Sequence, residues 1–268
     1  MQPFRKVCLT YLVVSLLATA AFGQSADRGK SDNTYIEAAT LWQQASGEAR
    51  ALEYQTYVLA RLLLDRDLGN RRIKMRRAII VDVDETILDN SRYQGMLIKK
   101  GVNYPEGWTD WCNRAEATSI PGALDFLKYA HTRGVRVFYI TNRKIAEKAG
   151  TAQNLKTLGF PEVNDETLLV RTDTEKDTKE PRRQSVTSRY HVVLLMGDNL
   201  NDFSDVFEKS KTVAARLEAT EKNRSQFGTH FIVLPNAMYG DWENSIYDYN
   251  FKLSSEEKQA KRRALLKD

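Results

Sequence analysis

Ala78-Ile79-Ile80-Val81-Asp82-Val83-Asp84-Glu85-Thr86 is an apolar run, rich in β-branched residues, that ends in two aspartates two positions apart. It predicts a buried strand over residues 78–83, with the acidic residues marking where the chain leaves the hydrophobic interior. Two carboxylates at a strand end can both turn into one site once the strict alternation of the pleat is lost. One can then attack an electrophile while the other manages protons. A strand that merely ends in an acidic turn satisfies the same pattern, so the neighbouring strands decide between the two.

Similar runs lie at residues 135–140, 167–170 and 192–196, and a fifth at 231–234 stops at Pro235. Helix-like segments separate them: residues 121–133, with Pro121 at the start and Gly134 after the end, and residues 145–158, closed by Gly159. Strands alternating with helices predict an α/β fold, a parallel sheet flanked by helices, with the site at the carboxyl edge of the strands. Residues 90–120 are too many for a plain strand-to-helix connection, and predict a small, mainly helical cap over that edge. Upstream, residues 34–68 read as helical with a break near Gly47. The expected organisation is a leader over 1–23, a helical segment over 24–76 contributing to the cap, a core over 77–253, and a charged tail over 254–268.

The other strand ends carry groups that suit phosphate chemistry. Thr141 and Asn142 supply a hydroxyl and an amide, neutral donors for phosphoryl oxygens. Lys179, in Lys179-Glu180-Pro181-Arg182, can offset the charge gathered by carboxylates and phosphate, with Lys176 as the competitor for that role. The fourth run ends in Gly197-Asp198-Asn199-Leu200-Asn201-Asp202, where Asp198 can give a hard divalent cation an oxygen ligand.

In that order, DVDET, TNR, KEPR and GDNLNDF match the four motifs of the haloacid dehalogenase phosphatases. LDNSRY (88–93), Trp108 and Trp111, IPGA (120–123), LPNAMYGDWE (234–243) and LWQQASGEARALEYQTY (41–57) further resemble the class C bacterial acid phosphatases, exported enzymes often described as 5′-nucleotidases. The resemblance implies a haloacid dehalogenase-like fold and an acid phosphatase hydrolysing phosphomonoesters such as nucleoside 5′-monophosphates. It makes Asp82 the nucleophile that forms an aspartyl-phosphate, and Asp84 the acid and then the base. Mg2+ would be held by the carboxylates of Asp82 and Asp198 and the backbone carbonyl of Asp84, with Asp202 behind the metal's shell. Thr141, Asn142 and Lys179 would grip the phosphoryl oxygens, and Trp108 and Tyr239 would sandwich a base.

The 268 residues are 42% hydrophobic and 28% charged, which suits one globular unit with an insertion. Residues 1–23 place Arg5 and Lys6 before an apolar run and end in small residues, the pattern of a cleavable export signal. The run is short for a bilayer span, and Cys8 is misplaced for lipidation, so a secreted or periplasmic protein without stable membrane insertion is expected. Removing Arg5 and Lys6, the only charged residues of that segment, lowers the formal net charge from +5 to +3 and leaves Cys112 without a disulfide partner. The basic cluster of residues 71–77 lacks interleaved aromatics, which speaks for a solvated turn and against a nucleic acid partner. The expected partner is a small phosphomonoester, and a homodimer is compatible with the sequence. Two rivals from other classes have less support: a binding protein on this fold has no need of Asp82, Asp84 and Asp198 together, and a hydrolase attacking carbon needs neither Asp84 nor a metal. A phosphotransferase sharing the same intermediate differs only in its acceptor.

Overall fold

The computed structural model describes residues 33–172 and 178–267, so the leader and Lys176 lie outside the described residues. A 3-10 turn (Thr34–Ile36) leads into helices α1 (Glu37–Ala45) and α2 (Gly47–Leu68). Ser46 makes the break between them: its backbone is extended and its hydroxyl accepts the Ala49 N–H at 3.0 Å, an N-cap that starts a second helix.

The first strand, β1 (Arg77–Val81), is followed by a tight turn whose geometry is set by backbone bonds. The Asp82 N–H still reaches Met196 O at 2.9 Å, after which Val83 O accepts the N–H groups of both Ile87 and Leu88. The strand therefore ends two residues earlier than its apolar pattern suggests, because Val83 turns into the core as part of the loop. There follow β2 (Leu88–Asp89), α3 (Ser91–Lys100), α4 (Trp108–Arg114) and β3 (Thr118–Ser119), in which β2 and β3 form an antiparallel two-stranded ribbon.

The chain continues through α5 (Ala123–Thr132), β4 (Arg136–Lys144), α6 (Ile145–Leu158), β5 (Leu168–Arg171), α7 (Glu180–Thr187), β6 (His191–Gly197), α8 (Asp205–Lys209), α9 (Val213–Lys222), β7 (Phe231–Val233), α10 (Asp241–Asn244) and α11 (Ser255–Ala264). The five longer strands form one parallel sheet in the order β5-β4-β1-β6-β7. With β1 central, every strand C-terminus opens on the same edge.

Side chains on β1 alternate between two cores, as the period-2 pleat requires. Ile79 and Val81 join the larger one with Leu127, Val137, Tyr139 and Met196, while Ala78 and Ile80 join Phe138, Ile140, Leu195 and Phe207. On β6 the consecutive residues Val193 and Leu194 both face the larger core, and the register against β1 shifts between Ala78 and Ile79. This bulge resets the alternation so that Gly197 and Asp198 arrive in phase with Asp82. On the other side of the site, Gly150 lets α6 approach α4, since a Cβ there would collide with the backbone of Cys112 and Asn113.

Candidate active site

Strand β1 delivers Asp82 at its carboxyl end, buried in the mouth of the sheet. Lys179, the residue before α7, reaches across and sets its ammonium between the Asp82 carboxylate and Asp202 Oδ1, the latter at 2.7 Å. Lys179 is itself held from behind. Its backbone N–H donates to Glu208 at 3.1 Å, and Arg183 ties Glu208 to the carbonyl of Asn201. Burial pushes the Asp82 carboxyl up to about 7; the Lys179 cation opposes that rise while the charges of Asp202 and Asp84 add to it. Lys179 is raised, because its two carboxylate partners outweigh its own loss of hydration.

Opposite β1, the end of β6 brings Asp198, and the oxygens of Asp82, Asp198 and Asp202 lie within 4.8 Å of one another. The Thr86 hydroxyl is 3.4 Å from both Asp82 Oδ2 and Asp198 Oδ1, and Asn236 donates to Asp198 Oδ2 at 2.8 Å. Desolvation, with Asp202 and Asp82 close by, holds the Asp198 carboxyl well above its ordinary range. An all-oxygen, carboxylate-rich set of this kind fits a hard divalent cation. Asp202 is held at both oxygens: Oδ1 takes Lys179 at 2.7 Å and Oδ2 accepts the Asn199 N–H at 3.0 Å. The fit of Asp202 depends on Gly197, where a Cβ would collide with the Asp202 carboxylate.

The two oxygens of Asp84 have different surroundings. Oδ1 accepts from Arg143 Nε at 3.0 Å, Arg143 Nη2 at 2.8 Å and Asn90 Nδ2 at 2.9 Å, whereas among the described residues Oδ2 meets only the Thr141 hydroxyl, at 3.3 Å. Asn90 is a buried hub: its Oδ1 also accepts from Trp111 Nε1 at 2.8 Å and Arg143 Nη2 at 3.2 Å. Thr141 is buried at the end of β4, and its carbonyl accepts from Arg182 Nη1 at 2.6 Å. Asn142 is exposed, and its Oδ1 is taken by Arg182 Nη2 at 2.9 Å. That bond turns the donor end of the Asn142 amide away from Arg182.

Glu85 follows Asp84 in the left-handed conformation, φ 53°, with its carboxylate buried. It accepts the Asn90 N–H at 2.9 Å and the phenol hydroxyl of Tyr239, and burial beside Asp84 and Asp198 raises it well above the usual carboxylate range. Tyr239 is thereby tied to the turn that carries Asp82 and Asp84. Trp108 begins α4 and is buried, edge-on to Tyr93 at 5.0 Å and Tyr104 at 5.9 Å, with the Arg143 guanidinium 5.3 Å from its ring. The ring exposed beside it is Tyr104.

The structure thus gathers Asp82, Asp84, Thr141, Asn142, Lys179, Asp198 and Asp202 at one edge of the sheet. Sequence reasoning gave no role to Arg143, Asn90, Glu85, Asn236 or Tyr104. Arg143, Asn90, Glu85 and Asn236 stood inside the motifs TNR, LDNSRY, DVDET and LPNAMYGDWE, so their place was visible although their partners were not.

Comparison with known proteins agrees with this geometry. The family described as HAD superfamily, subfamily IIIB (Acid phosphatase) matches residues 25–242. The class C acid phosphatase from Bacillus anthracis is 43% identical, with a TM-score of 0.84 over 88% of this chain and 98% of that one. A structure of class C acid phosphatase from Bacillus anthracis with tungstate bound is 44% identical over the same shares, again with a TM-score of 0.84. With its parallel sheet, its strand-end carboxylates and a family match over most of its length, this chain belongs to the HAD superfamily, subfamily IIIB, and is an acid phosphatase.

Proposed function

We propose that this acid phosphatase is a magnesium-dependent phosphomonoesterase that works through an aspartyl-phosphate on Asp82 and favours aromatic esters such as nucleoside 5′-monophosphates. The observation that carries the reading is the pairing of a buried Asp82, countered by Lys179, with an Asp84 that keeps Oδ2 available for a proton. An Asp82 oxygen would attack phosphorus in line while Asp84 Oδ2 gives its proton to the departing alkoxide. Asp84, now ionised, would take a proton from the water that attacks phosphorus and breaks the acyl-phosphate bond, which releases phosphate, returns Asp82 to its carboxylate and leaves Asp84 protonated as it began. Thr141, the Asn142 amide and Lys179 are suited to grip the phosphoryl oxygens while charge shifts between them.

The carboxylates of Asp82 and Asp198, with the Asp84 carbonyl, would hold Mg2+, and Asp202 would orient Lys179 and the Asn199 backbone behind them. Bound there, the ion would supply the charge that lets an anionic nucleophile approach an anionic ester. That a relative binds tungstate, an oxyanion, supports a site for the phosphoryl group. For the base, Tyr239, tied to Glu85, and Tyr104, seated on Trp108, would supply the rings, and stacking tolerates any base. Export is proposed from residues 1–23; among the described residues no helix is long and apolar enough to cross a membrane.

A panel of nucleotide, aryl and small alkyl phosphates, each assayed with chelator and with chelator plus excess Mg2+, tests the reading together with acid-quenched peptide mapping for a phosphoryl group on Asp82. Full activity after exhaustive chelation sinks the metal assignment. A preference for small alkyl phosphates sinks the substrate class, and a phosphoryl group trapped on another residue sinks the nucleophile.

A further inference from the structure

The active site occupies the carboxyl edge of the parallel sheet, and the opposite edge has a chemistry of its own. Strands β1 and β6 start there, at Arg77 and His191, and the turn that leads into β1 carries Arg71, Arg72, Lys74 and Arg76. All four are exposed, as is Arg189 just before β6. The turn is pinned by its own bonds. Asn70 Oδ1 accepts the Arg72 N–H at 3.1 Å, and Asn70 O accepts the Ile73 N–H at 3.3 Å and Arg77 Nη2 at 3.0 Å. The Arg76 carbonyl accepts the His191 N–H at 2.9 Å, and the guanidinium groups of Arg76 and Arg189 both lie against the buried Tyr190 ring, at 5.6 and 5.7 Å. The five cations therefore stand on a fixed backbone.

Neighbouring carboxylates leave that charge in place. Asp67, at the end of α2, is taken by Arg77 at 2.6 Å and His191 at 2.8 Å, and among the described residues none of the five cations forms a salt bridge. Arg189 Nε donates to the Ser185 carbonyl, a neutral partner, at 2.9 Å. Met75, in the middle of the basic turn, is 49% exposed. Cations around an exposed apolar side chain suit the boundary of an anionic bilayer, where the cations meet headgroup phosphates and the thioether meets the acyl chains. A dissolved polyanion gives Met75 nothing to touch. We propose that this face seats the protein on an anionic phospholipid surface through Arg71, Arg72, Lys74, Arg76, Arg189 and Met75. Each cation near such a surface strengthens partition about five-fold, so the five give on the order of 1,000-fold, a reversible hold that salt weakens. Asp82 and Asp198 stand beyond the other ends of the same two strands, so the seated enzyme keeps its mouth open to dissolved phosphomonoesters.

The test is co-sedimentation with vesicles of phosphatidylcholine, alone or with about 30% phosphatidylglycerol, using the full chain and the chain lacking residues 1–23. Hydrolysis of a dissolved aryl phosphate is the folding control. The shortened chain is expected to bind the anionic vesicles, to ignore the neutral ones and to be released by salt, with kcat/KM unchanged while bound. Arg71→Gln combined with Arg72→Gln should lower the partition coefficient about 25-fold and Lys74→Gln about five-fold, with activity in solution unchanged. Met75→Ser should lower it about two- to five-fold. Binding by the full chain alone gives the attachment to residues 1–23 and overturns the inference, as does binding indifferent to the paired arginine substitutions. Vesicle binding unchanged by Met75→Ser makes the face a site for dissolved polyanions and overturns the lipid assignment. A kcat/KM that collapses on the vesicle refutes the orientation.

Discussion

Arg143 grips Asp84 through one oxygen only: Nε and Nη2 both donate to Oδ1, at 3.0 and 2.8 Å. The second oxygen is left toward the Thr141 hydroxyl. If Asp84 is the proton donor, Arg143→Gln should lower kcat about 100-fold or more for an alkyl phosphate, whose alkoxide leaves poorly without a proton. For p-nitrophenyl phosphate, whose phenolate leaves unaided, the loss should be far smaller. Steady-state kinetics on the two esters check this, and equal losses would assign Arg143 to packing alone.

Asp82→Asn should remove the covalent path and cost about 5 kcal/mol or more of transition-state stabilisation, roughly 4,000-fold in kcat/KM. The measurement is single-turnover hydrolysis by a variant whose folding is verified. Near-normal turnover would move the nucleophile elsewhere.

Gly197→Ala should destabilise the protein by about 1 to 3 kcal/mol, because the new methyl meets the Asp202 carboxylate and must push it off Lys179. A melting temperature lowered by several degrees is expected, together with weaker Mg2+ binding by calorimetry. An unchanged melting temperature would mean that the loop yields freely.

Burial lifts the carboxyls of Asp82, to about 7, and of Glu85 and Asp198 above their ordinary values, so in the metal-free protein the folded state holds protons that the unfolded chain releases near pH 4. The associated stability is fully present below about pH 4 and is lost as pH rises toward 7. Calorimetric melting in chelator should therefore show this contribution falling over pH 4 to 7. Added Mg2+ should raise the melting temperature more at pH 7 than at pH 5, since ionised carboxylates bind it better. A Mg2+ effect equal at both values would contradict the site.

Tyr239→Ala and Tyr104→Ala should each lower kcat/KM for a nucleoside monophosphate about 5- to 150-fold, with little change for a small alkyl phosphate. Glu85→Gln, which leaves Tyr239 in place but weakens its tether, should fall between wild type and Tyr239→Ala on the nucleotide. Parallel losses on both esters would return these residues to a structural role.

The sheet was legible in the sequence because buried parallel strands are written as compact β-branched runs, and because Gly134 and Gly159 punctuate the helices between them. The end of β1 was not, since Val83 is as apolar as a strand residue while its carbonyl serves the turn. Nor was the β6 bulge, which depends on register against β1 and leaves no mark in composition. At the site, Asp82, Thr141, Lys179 and Asp198 stood out as polar residues following or flanking strands. Glu85 and Asn236 did not, because their partners Tyr239 and Asp198 lie far off in sequence, and such pairings exist only after folding. Trp108 was legible as an aromatic near the site, but its burial under Tyr104 depends on a cluster assembled from α3, α4 and the loop between them.

Asn90 gives the site a sense of direction. Indole nitrogen can only donate, so Trp111 dictates which end of the Asn90 amide is oxygen, and Arg143 reads the same end. The amide must then point its NH2 group at Asp84. Were α4 to withdraw its indole, Arg143 and the Asp84 carboxylate would still hold the amide in this sense, but one of the two donors fixing its oxygen end would be gone. The polarity of a single uncharged side chain thus joins a helix outside the sheet to the residue proposed to move the proton.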